Sequence, residues 1–428
     1  MKTIVTEWKE MRSYLLLWFT QLVSGLGSAM TAYALVIWSY TQAGSALRTA
    51  LLMVCSYAPY VICSIFAGAL SDRWDKKKTM LVCDALAALS SLIVLVLLKN
   101  EVLQIWHLYI VNAVSGLMNT FQQPASEVTT SVLLKREYYQ KVGGLRYLSN
   151  AVNSILTPII TTAIMGLWGI GTVIAIDLIS FVIAFIVLLF FIPIPKTEPK
   201  QAQESVLQSA AEGVRWLKAN PGVFHLMLFL SGINLVASMF NATLPAMALS
   251  KASETALGTV NAVTGITMLI GSILASVLPA PRSRVKAIWC CLMLSMCTEN
   301  IFLAFGNSVW VWCLGAFLGW IAIPLMNANL EAVNRLNIPV EIQGRVYAAR
   351  NSFQFFTIPV GYFLGGLLVD EVFEPIMAMQ RVDSLLVKLF GFGTGSGAAF
   401  LFAVLWFAGI GVCLIFRADK SIWKLEEQ

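Results

Sequence analysis

Apolar stretches of about twenty residues recur twelve times along this chain of 428 residues. An α-helix of that length just crosses the hydrocarbon core of a bilayer. Only 12% of the residues are charged and the mean hydropathy is +0.76. Backbone groups in lipid must satisfy their hydrogen bonds internally, so the pattern predicts an all-α integral membrane protein with twelve transmembrane helices. The predicted spans are 14–38, 47–70, 79–98, 105–125, 142–165, 169–192, 222–245, 257–279, 286–305, 309–330, 346–368 and 395–416.

A polar segment at 193–221 separates six spans from six. We therefore expect two six-helix bundles, 1–192 and 222–428, joined by a cytoplasmic linker at 193–221. Within the linker, apolar residues recur at helical spacing, at Val206, Leu207, Ala210, Val214 and Leu217. This spacing predicts an amphipathic helix that lies on the membrane surface.

Positive charge predicts the orientation of the chain, because Lys and Arg stay on the cytoplasmic side during insertion. With both termini inside, only five of the 29 Lys and Arg residues lie outside: Arg48, Lys99, Lys251, Arg381 and Lys388. Two more, Arg146 and Arg350, fall within spans. The sequence thus predicts a multi-pass protein with both termini in the cytoplasm. The net charge of +6 is explained by this topology and does not indicate nucleic-acid binding.

The composition argues against several classes of protein. All eight Cys residues lie in spans without a CxxC pair, which argues against disulfides and zinc. His107 and His225 are the only histidines and fall at opposite membrane faces, so we expect neither a metal site nor a cofactor. The chain has no H-E-x-x-H and no G-x-x-x-x-G-K-[ST] motif, so we do not expect an enzyme.

One charged turn, Gly68 to Lys78 between the second and third spans, differs from the rest of the chain. It combines a glycine that permits close helix approach, the pair Asp72-Arg73, and a block of lysines at 76–78. The turn resembles the signature of the major facilitator superfamily, G-x-x-x-D-R-x-G-R-[RK]. Asp75 replaces the usual glycine and lysine replaces arginine.

Within that superfamily the sequence resembles the drug:proton antiporter family 3, the group of macrolide-efflux and enterobactin-exporter proteins. The resemblance rests on Gln343-Gly344-Arg345-Val346 with Arg350-Asn351, on Asp177-Leu178-Ile179-Ser180-Phe181, on Phe373-Glu374-Pro375 and on Gly393-Thr394-Gly395-Ser396-Gly397. Two antiporter signatures of related families are missing: the fourth span has no arginine, and the fifth keeps only Pro158 of a glycine-proline motif.

The resemblance implies a secondary active efflux transporter of a bacterial plasma membrane. It would work as a monomer and exchange protons for a bulky amphipathic compound, such as a macrolide-like drug, by alternating access. The alternatives are an exporter of an endogenous metabolite or siderophore, and a passive channel.

The charged turn then has two interpretations. In the first it is a conformational latch of Gly68, Asp72, Arg73 and Arg345, in which Asp72 caps the positive start of the eleventh helix near Gly344 and Arg345. In the second the lysines only fix topology. We expect the latch, because topology alone requires neither Gly68 nor Asp72.

Polar residues step by three or four along single faces of the first, fourth, fifth, seventh and eleventh spans. Such a face avoids lipid and lines either a cavity or a helix contact. The candidate cargo-binding residues are Gln21, Asn112, Asn119, Arg146, Asn150, Asn153, Asn234 and Gln354. Arg146 is the strongest of these, because a cation inside the membrane needs a partner, and an anionic cargo would use it directly.

Three acids lie within spans: Asp84, Asp177 and Glu299. Buried carboxyl groups can exchange protons near neutral pH, so these are the candidates for proton coupling. They fall on helices that the resemblance places at the periphery, which favours a structural hydrogen-bonding role over proton coupling.

Overall fold

A computed structural model describes residues 11–134, 138–194, 206–339 and 342–426, and within these ranges it contains helices and no strand. The six helices before the linker are α1 (Arg12–Ala43), α2 (Ala46–Arg73), α3 (Lys76–Lys99), α4 (Ile105–Leu133), α5 (Tyr139–Trp168) and α6 (Ile170–Phe190). The linker contains α7 (Val206–Ala219). After it come α8 (Pro221–Lys251), α9 (Glu254–Val277), α10 (Arg284–Phe305), α11 (Val309–Trp320), α12 (Ile323–Asn337), α13 (Gln343–Phe355), α14 (Thr357–Leu368), α15 (Glu374–Ala378), α16 (Leu385–Phe390), α17 (Ser396–Ala418) and α18 (Lys420–Trp423).

Helices occupy all twelve predicted spans, which confirms the all-α membrane architecture. Among the described residues, eleven helical segments are long and apolar enough to cross a bilayer. Helix α4 is also long, with 29 residues, but it is not among the eleven. Its polar face explains this, since Asn112, Ser115, Asn119 and Gln122 all fall in that helix.

Several helices begin at a side-chain cap. Asp75 accepts a hydrogen bond from Lys78 N at the start of α3, and Ser253 accepts one from Ala256 N at the start of α9. Ser283 does the same for α10. Such caps satisfy N–H groups that have no partner inside the helix. Asp75, the residue that departs from the family signature, therefore has a local structural role.

Two predicted spans are broken. The tenth changes from α11 to α12 at Ile321 and Ala322, just before Pro324. The eleventh changes from α13 to α14 at Phe356, and its last turn, Val369–Phe373, is a π-helix. Proline cannot donate a backbone hydrogen bond, so a helix that contains one is easily interrupted. Hydropathy shows each span as continuous, because the break does not change the apolar character of the residues.

The chain forms two compact units. The first comprises Met1–Trp38 with Cys55–Gln203, and the second comprises Ser39–Val54 with Glu204–Gln428. The predicted domain limits at 192 and 221 stay predictions. The short segment 39–54, around the end of α1 and the start of α2, belongs to the second unit although its neighbours in sequence belong to the first.

Linker helix α7 belongs to the second unit and packs on protein. Its Leu217 is fully buried with Val223 and Met227 of α8 and with Val346 and Ala349 of α13. We expected this apolar face to lie on the membrane surface. The structure buries Leu217 of this face against α8 and α13, and the location of the helix at the membrane surface stays a prediction.

Glycine allows the closest helix contact in the first unit. A methyl group added at Gly116 of α4 would overlap the backbone oxygen of Ser56 in α2. The two backbones therefore touch at this point, as small residues permit between membrane helices.

Candidate functional site

Asp84 joins three helices of the first unit. Its carboxylate accepts a hydrogen bond of 2.5 Å from Gln122 Nε2 of α4 and a longer one of 3.4 Å from Gln21 Nε2 of α1. Gln21 was predicted to bind cargo and Asp84 to carry protons. The structure brings them together and adds Gln122, which belongs to the same polar face of α4 as the predicted residues.

Asp177 of α6 accepts hydrogen bonds from two hydroxyl groups. Ser28 of α1 lies 3.0 Å from one carboxylate oxygen, and Ser91 of α3 lies 3.1 Å from the other. Close packing of α1 on α6 makes this possible, since a methyl group at Gly27 would lie only 2.9 Å from the Cα of Asp177. Hydroxyl groups can donate or accept, so this site can accommodate both the ionised and the protonated acid.

Glu299 of α10 is buried in the second unit, with 5% of its surface exposed. Trp320 Nε1 donates to its Oε1 at 2.6 Å. In the described part of the chain, Glu299 forms no ion pair and Oε2 has no donor. Helix α11 approaches it through Gly319, where a methyl group would lie 2.6 Å from the Cβ of Glu299. Trp320 is the last residue of α11, so this buried acid contacts the tenth span immediately before its break.

A polar seam joins α8 to the eleventh span. Asn234 Nδ2 donates to the backbone oxygen of Gln354 at 2.9 Å. One turn away, Thr357 Oγ1 donates to the backbone oxygen of Ser231 at 2.8 Å. Asn234 thus contributes to helix contact, whereas the side-chain oxygen of Gln354 is buried and has no hydrogen-bond partner among the described residues.

The four asparagines predicted to bind cargo in the first unit fall into three groups. Asn112 Nδ2 donates to Leu108 O on its own helix, while Asn119 and Asn150 are exposed. Asn153 differs, because its Oδ1 is buried and has no hydrogen-bond partner in the described part of the chain. Its amide nitrogen lies 3.8 Å from the point where a methyl group on Gly25 of α1 would lie. Unpaired buried acceptors are uncommon in proteins, so Asn153 and Gln354 are the residues best prepared to take a new donor.

Arg146 has the partner that an arginine in a predicted span requires. Its Nη2 lies 3.3 Å from Glu127 Oε1, and the exposed fractions of the two side chains are 61% and 53%. An exposed ion pair contributes only about 0–1 kcal/mol to stability, so it can exchange its partner at little cost. Nothing in the spacing of the sequence identifies Glu127 as this partner.

The predicted latch falls on helix ends whose side chains lie outside the described part of the structure. Gly68, Asp72 and Arg73 lie in the last turns of α2, and Arg345 lies in the first turn of α13. The lysine block is described. Lys77 Nζ donates to Leu189 O and Ile192 O, at 3.0 and 2.9 Å, and so caps the end of α6. At least this lysine therefore does more than fix topology.

Sequence reasoning missed two acids near the end of the eleventh span. Asp370 accepts three hydrogen bonds from Ser45, Ala46 and Leu47 at the start of α2. Glu374 Oε1 accepts from Gly395 N and Ala398 N, at 2.8 and 3.3 Å, at the start of α17. Each acid lies between a predicted span and a loop, where hydropathy carries no information about its partner.

Known proteins support this architecture. The family profile of the Major Facilitator Superfamily matches residues 17–249. Macrolide efflux protein A of Streptococcus pyogenes is 24% identical over 365 residues, which cover 83% of this chain and 89% of that protein. Enterobactin exporter EntS of Shigella boydii serotype 18 is 25% identical over 264 residues, 60% of this chain and 61% of that protein.

Solved structures agree on the fold. A mutant of the nucleoside transporter NupG has a TM-score of 0.67 at 13% identity, covering 95% of this chain and 99% of that one. A bacterial homologue of the iron transporter ferroportin, in an inward-facing state, has a TM-score of 0.66 at 14% identity and covers 98% and 99%. The family profile covers more than half of the chain, and the helices fill all twelve predicted spans. This multi-pass membrane protein therefore belongs to the Major Facilitator Superfamily, a family of transporters and not of enzymes.

Proposed function

We propose that this chain exports a bulky amphipathic compound, such as a macrolide-like drug, across a bacterial plasma membrane in exchange for protons. The observation that carries the proposal is the similarity to macrolide efflux protein A along 83% of the chain. The protein would work as a monomer by alternating access, with both termini in the cytoplasm.

The buried polar groups are consistent with a large cargo that offers hydrogen-bond donors. Asn153 Oδ1 and Gln354 Oε1 have no donor within the ranges that the structure describes, and leaving a buried acceptor unpaired costs about 1–3 kcal/mol. A cargo hydroxyl or a water molecule that donates to these oxygens would recover this energy. Asn153 and Gln354 are accordingly our first choice for cargo contact among the predicted residues.

Glu299 is our choice for the proton carrier among the three acids. Each carboxylate oxygen of Asp84 accepts from an amide N–H group, and both donors favour the ionised acid. Glu299 receives one donor at Oε1, and its Oε2 can take up or release a proton while the bond to Trp320 stays in place. Its contact with the broken tenth span offers a route from proton binding to helix movement.

A susceptibility screen tests the proposal most directly. Cells that express the protein should tolerate higher concentrations of the exported compounds than cells with an empty vector, and a protonophore should remove the difference. Everted vesicles with an imposed pH gradient should then accumulate the same compound. Transport that only ever runs down the gradient of the compound would instead indicate the passive channel.

A second candidate function is export of an anionic metabolite or siderophore, favoured by Arg146 and by the similarity to enterobactin exporter EntS. Arg146→Ala would then weaken binding of the anionic cargo by about tenfold or more, equivalent to about 1.4 kcal/mol, because the cation would be lost while the carboxylate of Glu127 stays beside the cargo. Binding of a neutral cargo should change little.

Ligand titration of the purified protein measures both affinities. Arg335→Ala is the matched control, because it removes another exposed arginine that pairs with a glutamate, at 2.8 Å. Equal affinities for the anionic cargo in the Arg146 and Arg335 variants would remove Arg146 from the binding site.

A further inference from the structure

Asp370 is bonded to the first turn of α2. Its Oδ2 accepts from Ser45 Oγ at 2.6 Å and from Leu47 N at 2.9 Å, and its Oδ1 accepts from Ala46 N at 3.0 Å. The first N–H groups of a helix have no partner within it and carry a partial positive charge. Ser45 Oγ already accepts from Arg48 N at 3.1 Å, so a carboxylate more than 300 residues away in sequence completes the cap that Ser45 begins.

The backbone near Asp370 is shaped for this contact. Asp370 lies in the π-helical turn Val369–Phe373, and single π turns inside α-helices often mark functional positions. One turn earlier, a methyl group on Gly366 would lie 2.6 Å from the Cα of Leu47 and 2.9 Å from the Cβ of Ala50. The eleventh span therefore touches the start of α2 with its backbone as well as with its acid.

A second bond lies in the same region of the second unit. Tyr40 at the end of α1 and Ser250 at the end of α8 are joined through their hydroxyl oxygens at 2.5 Å. All of these residues belong to the second unit, which includes Ser39–Val54. The chain passes between the two units at residues 38–39 and again at residues 54–55.

A carrier has to expose its cargo site to each side of the membrane in turn. Contacts that close one side must then be strong enough to hold and able to break. The cap on α2 meets both conditions, because three hydrogen bonds to one carboxylate can be lost together, and water can replace them at a membrane surface.

We propose that Asp370 is a releasable clasp. Its hydrogen bonds hold the start of α2 to the end of the eleventh span, and they break when the protein opens on that side of the membrane. This inference rests on the proposed function, because it assumes alternating access. The cation pattern places this end outside the cell. The clasp would thus be the counterpart of the latch expected at Asp72, where α2 ends and the eleventh span begins.

Cysteine labelling from outside the cell tests the clasp. Thr49 follows the capped turn and is only 1% exposed. Thr49→Cys changes the size of the side chain little and places a thiol at this buried position. Asp370→Asn keeps one oxygen for Ala46 N but turns an amide N–H toward Leu47 N. We expect it to raise the labelling rate of Cys at 49 by a membrane-impermeant maleimide about tenfold, which corresponds to about 1.4 kcal/mol.

Glu371→Gln is the matched control, because Glu371 is the next acid, is exposed and forms no hydrogen bond or ion pair within the described residues. It should leave the labelling rate unchanged. Gly366→Ala tests the same contact without changing charge and should also raise the rate, since its methyl group cannot fit against Leu47. The parent protein, which keeps Thr49, measures the background labelling of the native cysteines, and this background is subtracted.

Two results would overturn the clasp. One is a labelling rate of Cys at 49 in Asp370→Asn that equals the rate in Glu371→Gln. The other is a faster rate in Asp370→Asn that also appears, in detergent, at cysteines placed at other buried positions, because this pattern would indicate unfolding. Ser45→Ala removes the hydrogen bond from Ser45 Oγ to Asp370 and the one that Ser45 Oγ accepts from Arg48 N, but it leaves both backbone donors to Asp370. It should therefore give an intermediate rate in a fully folded protein. Labelling needs no cargo, so a failure of the export proposal would show in the flux assays alone.

Discussion

Replacing Glu299 with glutamine is expected to abolish accumulation of cargo against its gradient while leaving cargo binding intact. Glutamine has the same shape as glutamate, and its Oε1 can still accept the hydrogen bond from Trp320 Nε1. The variant therefore keeps the packing against α11 and loses only the ability to bind and release a proton. A protein that cannot exchange protons has no source of energy for uphill export.

Everted vesicles under an imposed pH gradient measure this loss directly. Accumulation in the Glu299→Gln vesicles should fall to the level of vesicles without the protein, whereas exchange of labelled for unlabelled cargo should continue. Asp84→Asn and Asp177→Asn are the matched comparisons, since each replaces a predicted acid with its amide. Full accumulation in Glu299→Gln, with loss in one of the other two, would transfer the coupling role to that acid.

Replacing Gly116 with leucine is expected to prevent stable folding of the first unit. Even a single methyl group at this position would overlap Ser56 O, so α2 and α4 would have to move apart along their contact. Overpacking usually costs about 1–3 kcal/mol, and a leucine at a backbone contact should lie at the upper end or beyond. Membrane proteins have little stability to spare, so most of the variant should be lost before purification.

Gly116→Ala should show a smaller form of the same effect, as a lower midpoint of thermal unfolding in detergent. Gly411→Ala is the control, because Gly411 lies within α17 and a methyl group there would meet nothing within 4 Å. That variant should keep or slightly raise the midpoint, since alanine favours a helix over glycine. Equal midpoints for the two alanine variants would contradict the contact between α2 and α4.

Much of the fold was predictable from the sequence because hydropathy acts locally. The lipid solvent requires each crossing segment to be a long apolar helix, so all twelve spans could be located without tertiary information. The break in the tenth span was not predicted, although Pro324 signals it. A proline at the first turn of a helix and a proline inside a continuous helix look alike in a hydropathy profile.

The sequence predicted which types of residue form the candidate site better than it predicted which residues pair with each other. The polar face of the fourth span drew attention to the helix that contacts Asp84, but the shorter of the two hydrogen bonds to Asp84 comes from Gln122, which is outside our candidates. Arg146 was expected to need a partner, and Glu127 supplies it. Neither pairing follows from spacing, because each joins different helices whose rotation the sequence leaves open.

By itself the sequence determined that this protein is a bundle of twelve membrane helices with polar faces, since both properties follow from the cost of exposing polar groups to lipid. Only the tertiary structure decided which of these groups meet. Asp370 illustrates the difference: it looks like an ordinary acid at the end of a span until the first turn of α2 is placed against it. Hydrogen bonds of this kind depend on distance and direction between segments, and these arise only when the helices pack.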